Sequence, residues 1–310
     1  MRETLARVDK LKCVGRLIVN ADDFGLTSGV NRAIMELHAS GLVTSTSLMA
    51  RAGATEEAIE LARATPSLGV GCHVVLVDGE PVLSAHREIP ALANPITGRF
   101  RSTLTGFLRL LYGPASRLAS RAQIASAIEA EAAAQIALLK SRGLRLTHID
   151  THKHVHMFPA VLRPILRAAR TAGIRTIRNP FEPAWSLHAT PRAPLLRRAQ
   201  VSLLRRLKPA FHRILAEEGF VTTDGAIGVL ATGSLDAATV ASLLRQLPPG
   251  TWELVAHPGY NDADLAQVRT RLRASRDTER QALDQLNQFP HLELFSFASA
   301  FESSAHPPTS

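Results

Sequence analysis

Short apolar, β-branched runs alternate along the chain with longer stretches of helical periodicity. The runs are RLIVNA (16–21), VTSTSLM (43–49), GVGCHVVL (69–76), LRLTHID (144–150), IRTIRN (174–179), AIGVLA (226–231), WELVAH (252–257) and LELFSFA (292–298), and each has the length and residue types of a buried strand. Between most of them lie Ala/Leu/Arg-rich segments such as IASAIEAEAAAQIALLK (124–140), closing on Gly143, and PAVLRPILRAARTAG (159–173), with Gly173 as its C-cap. This alternation predicts a parallel sheet, either an open doubly wound one or a distorted (β/α) barrel of seven or eight strands; we favour the barrel. No linker divides the chain, so a single domain is expected over 16–300, after a charged extension (1–15) and before a tail (301–310) that ends in SSAHPPTS and is expected to be disordered.

The polar residues that interrupt this pattern cluster at the ends of the runs. Asp22 and Asp23 close the first run, His73 lies late in the third, Asp150 and His152 close the fourth, Arg178 the fifth and His257 the seventh. Carboxyl ends of strands are where parallel α/β barrels assemble their sites. A lone histidine there is usually a hydrogen-bonded structural residue, but seven polar groups together point to chemistry. Asp and two His with an open position suit Zn²⁺ or a similar divalent ion. One aspartate of the pair would then meet the cation while the other stays free as a base; the alternative is that the pair caps the helix starting near Thr27 or Ser28. In THKHVHM (151–157), His152, His154 and His156 would share one face if the chain is extended there.

Composition narrows the field. The 310 residues are 45% hydrophobic, enough for one large core, and no run of about 18 apolar residues occurs. The charged N-terminus lacks a signal-peptide core, so a soluble, cytoplasmic protein is expected. Cys13 and Cys72 imply no disulfide framework, and Cys72 should point away from the face of His73. The net charge of +9 comes with only 5% aromatic residues and no reading motif, which argues against nucleic acid and for an acidic or membrane-surface partner. No G-x-S-x-G elbow, G-x-G-x-x-G or Walker loop is present.

In order along the chain, IVNADDFGLTSGVNRAI, GVGCHVVL, THIDTHKHVHMFP and VAHPG resemble the signatures of the YdjC-like carbohydrate deacetylases, from about Arg16 to about Phe297. VLVDGEPVL followed by EIPAL and GRF, then IRNPFEP, is most similar to the hopanoid-associated HpnK branch; Arg51 and Ala52 depart from an Asn-Gly pair common in the family. The resemblance implies a distorted barrel and one divalent metal ion, zinc or magnesium, with Asp23, His73 and His152 in the ligand positions and Asp22 in the general-base position. It implies hydrolysis of an N-acetyl group on an amino sugar, lipid-linked in the HpnK branch. His257 is the candidate general acid, and Asp150, His154, His156 and Arg178 are expected to bind substrate or orient the ligands. The alternatives are a deacetylase of soluble N-acetylglucosamine oligosaccharides, a metal phosphoesterase, a two-carboxylate glycosidase and a non-catalytic sugar- or lipid-binding barrel; a homodimer is compatible with all of them.

Two basic stretches add a surface expectation. Residues 183–216 carry seven Arg and Lys and no acid; Leu196, Ala199, Leu203 and Leu207 fall on one helical stripe, with Arg197, Arg198, Arg205 and Lys208 opposite. The segment 98–121 has five Arg and no acid, and offers Phe107, Leu108, Leu110, Leu111 and Tyr112 as an apolar lid. Peripheral contact with the inner membrane surface is one expectation from these stretches; leucines packed on the barrel under a solvated basic face are the other.

Overall fold

The computed structural model describes residues 15–113 and 119–301. The expected N-terminal extension, with Cys13, and the expected disordered tail lie outside the described residues, apart from Gly15 and Phe301 at their inner ends.

Seven strands form one curled parallel sheet, a distorted (β/α) barrel: β1 (Arg16–Phe24), β2 (Ser45–Leu48), β3 (Gly69–Val74), β4 (Ile149–Thr151), β5 (Gly225–Ile227), β6 (Thr251–Ala256) and β7 (Leu294–Phe295), in the order β4-β3-β2-β1-β6-β5. β7 pairs with Leu17 and Ile18 of β1, on the edge that β2 occupies from Asn20 onward. β1 is buried along nearly its whole length, as a central parallel strand covered on both faces should be. Helices Arg121–Ser141 and Pro159–Thr171 cover the outside as the periodicity predicts. The first starts at a Ser120–Gln123 capping box, and Gly173 follows the second in a left-handed conformation.

Three expected strands are shorter or absent. LRLTHID yields only Ile149–Thr151, and AIGVLA only Gly225–Ile227, because Gly228 turns left-handed with φ of 87°. IRTIRN forms no strand; it makes isolated parallel bridges, Ile177 to Ile149 and Thr176 to Val221, and Pro180 follows immediately. It therefore spans the gap between the β4 and β5 edges and carries Arg178 to the carboxyl end of the sheet.

The long connection after β3 is tied down by a buried polar pair. Glu131 accepts from the backbone N–H groups of Val82 (2.8 Å) and Leu83 (3.1 Å), and Gln135 bonds both the N–H and the C=O of Val75. The proposed lid falls on helix Leu104–Tyr112, where Phe107, Leu110 and Leu111 are core residues. Of the five candidates only Tyr112 is well exposed, so this helix is packing rather than a lid.

Candidate active site

β1 resolves the puzzle of its two adjacent carboxylates. Its pairing with β2 runs Ala21 to Thr46 and then Phe24 to Leu48, so three residues on β1 are matched by two on β2. This bulge contains Asp22 and Asp23, and Asp23 has φ of 66°. Bulges re-aim side chains beside active sites, and aspartate tolerates the left-handed region better than most residues. The two carboxylates consequently enter different surroundings. Neither caps the following helix, where Thr27 accepts from the N–H of Val30.

Asp23 faces two imidazoles. Its Oδ1 lies 3.3 Å from His152 Nδ1 and 3.5 Å from His73 Nε2, and those two nitrogens are 3.3 Å apart. Oδ1 is buried without a hydrogen-bond partner among the described residues. A tetrahedral ion with bonds of about 2.0–2.1 Å holds its ligand atoms about 3.3–3.4 Å apart, whereas right-angled octahedral ligands would sit about 2.9 Å apart. The three atoms therefore fit one face of a tetrahedral site, and an unpaired carboxylate oxygen is what such a site supplies. His73 Nδ1 is 2.8 Å from Asp150 Oδ1, an arrangement that places the proton on Nδ1 and leaves Nε2 as donor to a cation. Burial alone would lower the pKa of His73, but Asp150, Asp22 and Asp23 raise it to about 9.

Asp22 instead belongs to a cluster around Arg178 in which both of its own oxygens, and both of Asp150's, are hydrogen-bonded. Arg178 Nη2 donates to Asp22 Oδ1 at 2.6 Å, Nη1 to Asp22 Oδ2 at 2.8 Å and Asp150 Oδ2 at 2.5 Å, and Nε to Glu253 Oε1 at 2.7 Å. Asn20 Nδ2 and Ser47 Oγ complete the shells of Asp22 and Asp150. Burial works against the charge on Asp22, yet Arg178 outweighs it and holds the carboxyl below its ordinary range. Asp22 is thus a tethered carboxylate, not the free one the sequence suggested. His257 closes the site: its Nε2 is 3.7 Å from Asp22 Oδ2, and its Nδ1 is 3.4 Å from Glu279, whose hydrogen bond and charge overcome burial and raise the imidazole pKa.

A model of the family described as YdjC-like protein matches residues 16–288. The chain belongs to the YdjC-like family. Among relatives of this YdjC-like chain, a carbohydrate deacetylase of Brevibacillus brevis is 41% identical over 154 residues, covering 50% of this chain and 55% of the relative. One of Mus musculus is 34% identical over 253 residues, covering 79% and 78%. The matches to the first two curated relatives span 55% and 65% of their length. A crystal structure from Enterococcus faecalis, provisionally described as a cellobiose-phosphate cleavage protein, superposes with a TM-score of 0.72 over 94% of this chain and 100% of that one, at 23% identity, a likeness of fold.

The three histidines of THKHVHM part company in the YdjC-like site. The strand ends at Thr151 and the chain coils into a short helical turn, with Lys153 and His154 left-handed, so the extended arrangement with a shared face is not formed. Thr151 Oγ1 draws the turn closed by accepting from the N–H of His156 and pairing with its Nδ1 at 2.7 Å. His152 alone joins the Asp23 group. His156 Nε2 meets the carbonyl of Arg178 at 3.2 Å and so supports that residue; burial pushes its pKa down to about 3. Burial holds His154 well below the usual range too, and its Nδ1 has no hydrogen-bond partner among the described residues. Cys72 points away and is fully buried, its thiol kept protonated by that burial. Arg51, at the departure from the family pattern, forms an exposed ion pair with Glu80.

Three buried charges of the site escaped the sequence reading. Glu253 sits inside an apolar strand run, and that alone could have flagged it. Arg276 and Glu279 lie on a helix so polar that nothing marked them as buried.

Proposed function

We propose that this chain is a metal-dependent carbohydrate N-deacetylase, with Asp23, His73 and His152 holding one divalent cation of the zinc type. The observation that carries the reading is the near-equilateral triangle of Asp23 Oδ1, His73 Nε2 and His152 Nδ1 beside a second, arginine-held carboxylate. The cation, when bound, supplies a Lewis acid that makes a water more acidic and stabilises negative charge on the acyl oxygen. The remaining steps belong to the chain's own residues. Asp22, ionised throughout the working range, takes a proton from the attacking water at Oδ2. His257, whose proton affinity Glu279 raises, gives one to the amide nitrogen as the C–N bond breaks. Acetate and the amine leave, the second proton of the water passing to the amine or to solvent, and the proton on Asp22 returns to His257 across their 3.7 Å separation. Two carboxylates flanking a glycosidic bond would need separations of about 5 Å or more, which Asp22 and Asp150, bridged by one guanidinium, do not offer for acid and nucleophile roles.

The relatives' activity supports a sugar substrate, and the HpnK-like segments support an N-acetylglucosaminyl hopanoid glycolipid within that class. Helix Leu195–Leu204 favours a lipid-linked substrate. Its Leu195, Leu196 and Leu203 point to solvent (83%, 72% and 59% exposed), while Arg197 and Arg198 turn inward to the carbonyls of Val229, Ala193 and Thr190. The expectation that these leucines pack on the barrel is not met, and Arg197 and Arg198 do not lie on the outward basic face that both expectations gave them. Outward leucines beside a notch lined by Arg205, Arg206, Lys208 and His212 match an anionic bilayer surface. The test is acetate release from an N-acetylglucosamine conjugate in soluble form and anchored in anionic liposomes. A faster rate on the anchored form supports the lipid reading, equal rates support soluble sugars, and no acetate from either by metal-loaded protein sinks the deacetylase.

A further inference from the structure

Helix Arg273–Ala282 docks on the barrel in an unusual way. An amphipathic helix ordinarily buries an apolar stripe, yet the residues this one buries are Arg276, Glu279 and Ala282, spaced three apart. Burying a guanidinium and a carboxylate is costly unless each finds partners, and each has one in the site. Arg276 Nη2 donates to Asp23 Oδ2 at 2.5 Å. Glu279 accepts from the N–H of His257 at 2.6 Å and of Gly233 at 2.9 Å. Gly259 makes room for the arginine stem: a Cβ there would stand 3.1 Å from Arg276 Cδ and 3.0 Å from Val30 Cγ2. The Nε and Nη1 of Arg276 have no partner among the described residues, so Asp23 is the only anion this buried cation meets there.

We propose that Arg276 is a positioning residue of the cation site, filling Oδ2 of Asp23 so that this carboxylate, on its left-handed backbone, presents Oδ1 alone to the ion beside His73 and His152. The inference rests on the metal-dependent reading above. It makes a prediction opposite in sign to simple electrostatics. A guanidinium that was only a nearby positive charge would repel the ion, so removing it would tighten binding. A guanidinium that orients the ligand is an outer partner whose loss weakens binding by about 10- to 100-fold.

Full-length wild type, Arg276→Met and Arg276→Lys are titrated with Co²⁺ against a chromogenic chelator, and the visible absorption of the bound Co²⁺ reports its geometry. Arg276→Met should bind about 10- to 100-fold more weakly, with the intense tetrahedral bands lost as Asp23 swings to offer both oxygens. Arg276→Lys, which can still place one N–H on Oδ2, should recover most of the affinity and the bands. Glu279→Gln, on the same helix face, should leave both unchanged. Arg276→Gln replaces the methionine variant if circular dichroism shows that variant unfolded, and should bind at least about 10-fold more weakly than wild type. Unchanged or tighter binding in a folded Arg276 variant overturns the proposal. So does an equal loss in Glu279→Gln, which would trace the effect to helix docking. A wild type that binds no Co²⁺ instead defeats the metal-dependent reading itself, and the two failures are thereby distinguished.

Discussion

Asp22 and Asp23 are neighbours on one strand, yet the regions they enter are built on opposite rules. Around Asp22, one guanidinium serves three carboxylates, and both oxygens of Asp22 and of Asp150 are hydrogen-bonded. Around Asp23, a carboxylate oxygen and two imidazole nitrogens converge within 3.5 Å, and Oδ1 has no hydrogen-bond partner among the described residues. A carboxylate with both oxygens bonded is complete in itself and fixes geometry, and of the three carboxylates in this cluster only Glu253 has an oxygen without a partner among the described residues. An under-satisfied one is complete only with a further partner, and three lone-pair donors select a cation. The lesson is that charge and burial do not distinguish scaffold from ligand site, whereas the hydrogen-bond ledger does.

The contrast breaks down if the two aspartates respond alike. The largest expected effect is on the Asp23 side: Asp23→Ala should weaken divalent-ion binding by more than the roughly 100-fold typical of outer partners, and His154→Ala should leave it untouched, both read by calorimetric titration. On the Asp22 side the expected losses are of folding and of rate. Arg178→Met leaves three carboxylates buried without their common partner and should cost about 3–5 kcal/mol in urea unfolding. A loss under about 1 kcal/mol would mean that the cluster is not the scaffold described. Asp22→Asn keeps the shape of the cluster and should bind the ion as wild type does, while turnover falls on the order of 10²-fold or more. If Asp22→Asn empties the cation site, the two roles are exchanged.

Much of this site was legible in the sequence because polar residues at the ends of apolar runs are conspicuous. Asp22, Asp23, His73, Asp150, His152, Arg178 and His257 all announce themselves in that way, and all seven do meet at one end of the sheet. What the pattern could not supply is which partner each one finds. The bulge that splits Asp22 from Asp23 depends on pairing with β2, and the coil that separates His152 from His154 depends on Thr151 bonding His156, five residues on, not on periodicity. Arg276 and Glu279 were invisible for a different reason. In a helix rich in Arg, Asp and Glu, the two that are buried look like those that are solvated until tertiary contacts choose between them. The outward leucines of Leu195–Leu204 mark the same limit: amphipathicity identifies a stripe but not the direction it faces.

The smallest expected effect tests how fully the Arg178 cluster is satisfied, through its third carboxylate. Burial, together with the charges of Asp22 and Asp150 and opposed by Arg178, pushes Glu253 up from 4.5 to about 8, and its Oε2 has no hydrogen-bond partner among the described residues. The sign follows directly. Between those two values folded Glu253 keeps a proton that the unfolded chain has released, so stability declines as pH rises through that window, by at most about 1.36 kcal/mol per pH unit. His73 and His257, both raised, contribute stability that is fully present below about 6.5 and is lost only above it, while Asp22, Asp23 and Asp150, all lowered, matter only at more acid pH. Over the interval from about pH 5 to about pH 6.5, Glu182, which burial raises to about 7 despite hydrogen bonds from Ser186 and the N–H of Leu230, adds to this decline, while His148, His154 and His156, which burial lowers, act in the opposite sense, because the unfolded chain binds protons there that the folded one does not. Glu253→Gln should make the slope in that interval more positive by about 1 kcal/mol per pH unit, and adding Glu182→Gln should shift it further in the same direction, as read from urea unfolding at several pH values. An unaltered slope in Glu253→Gln would mean that this carboxylate is ionised against Arg178, and that the guanidinium balances all three of its neighbours instead of two.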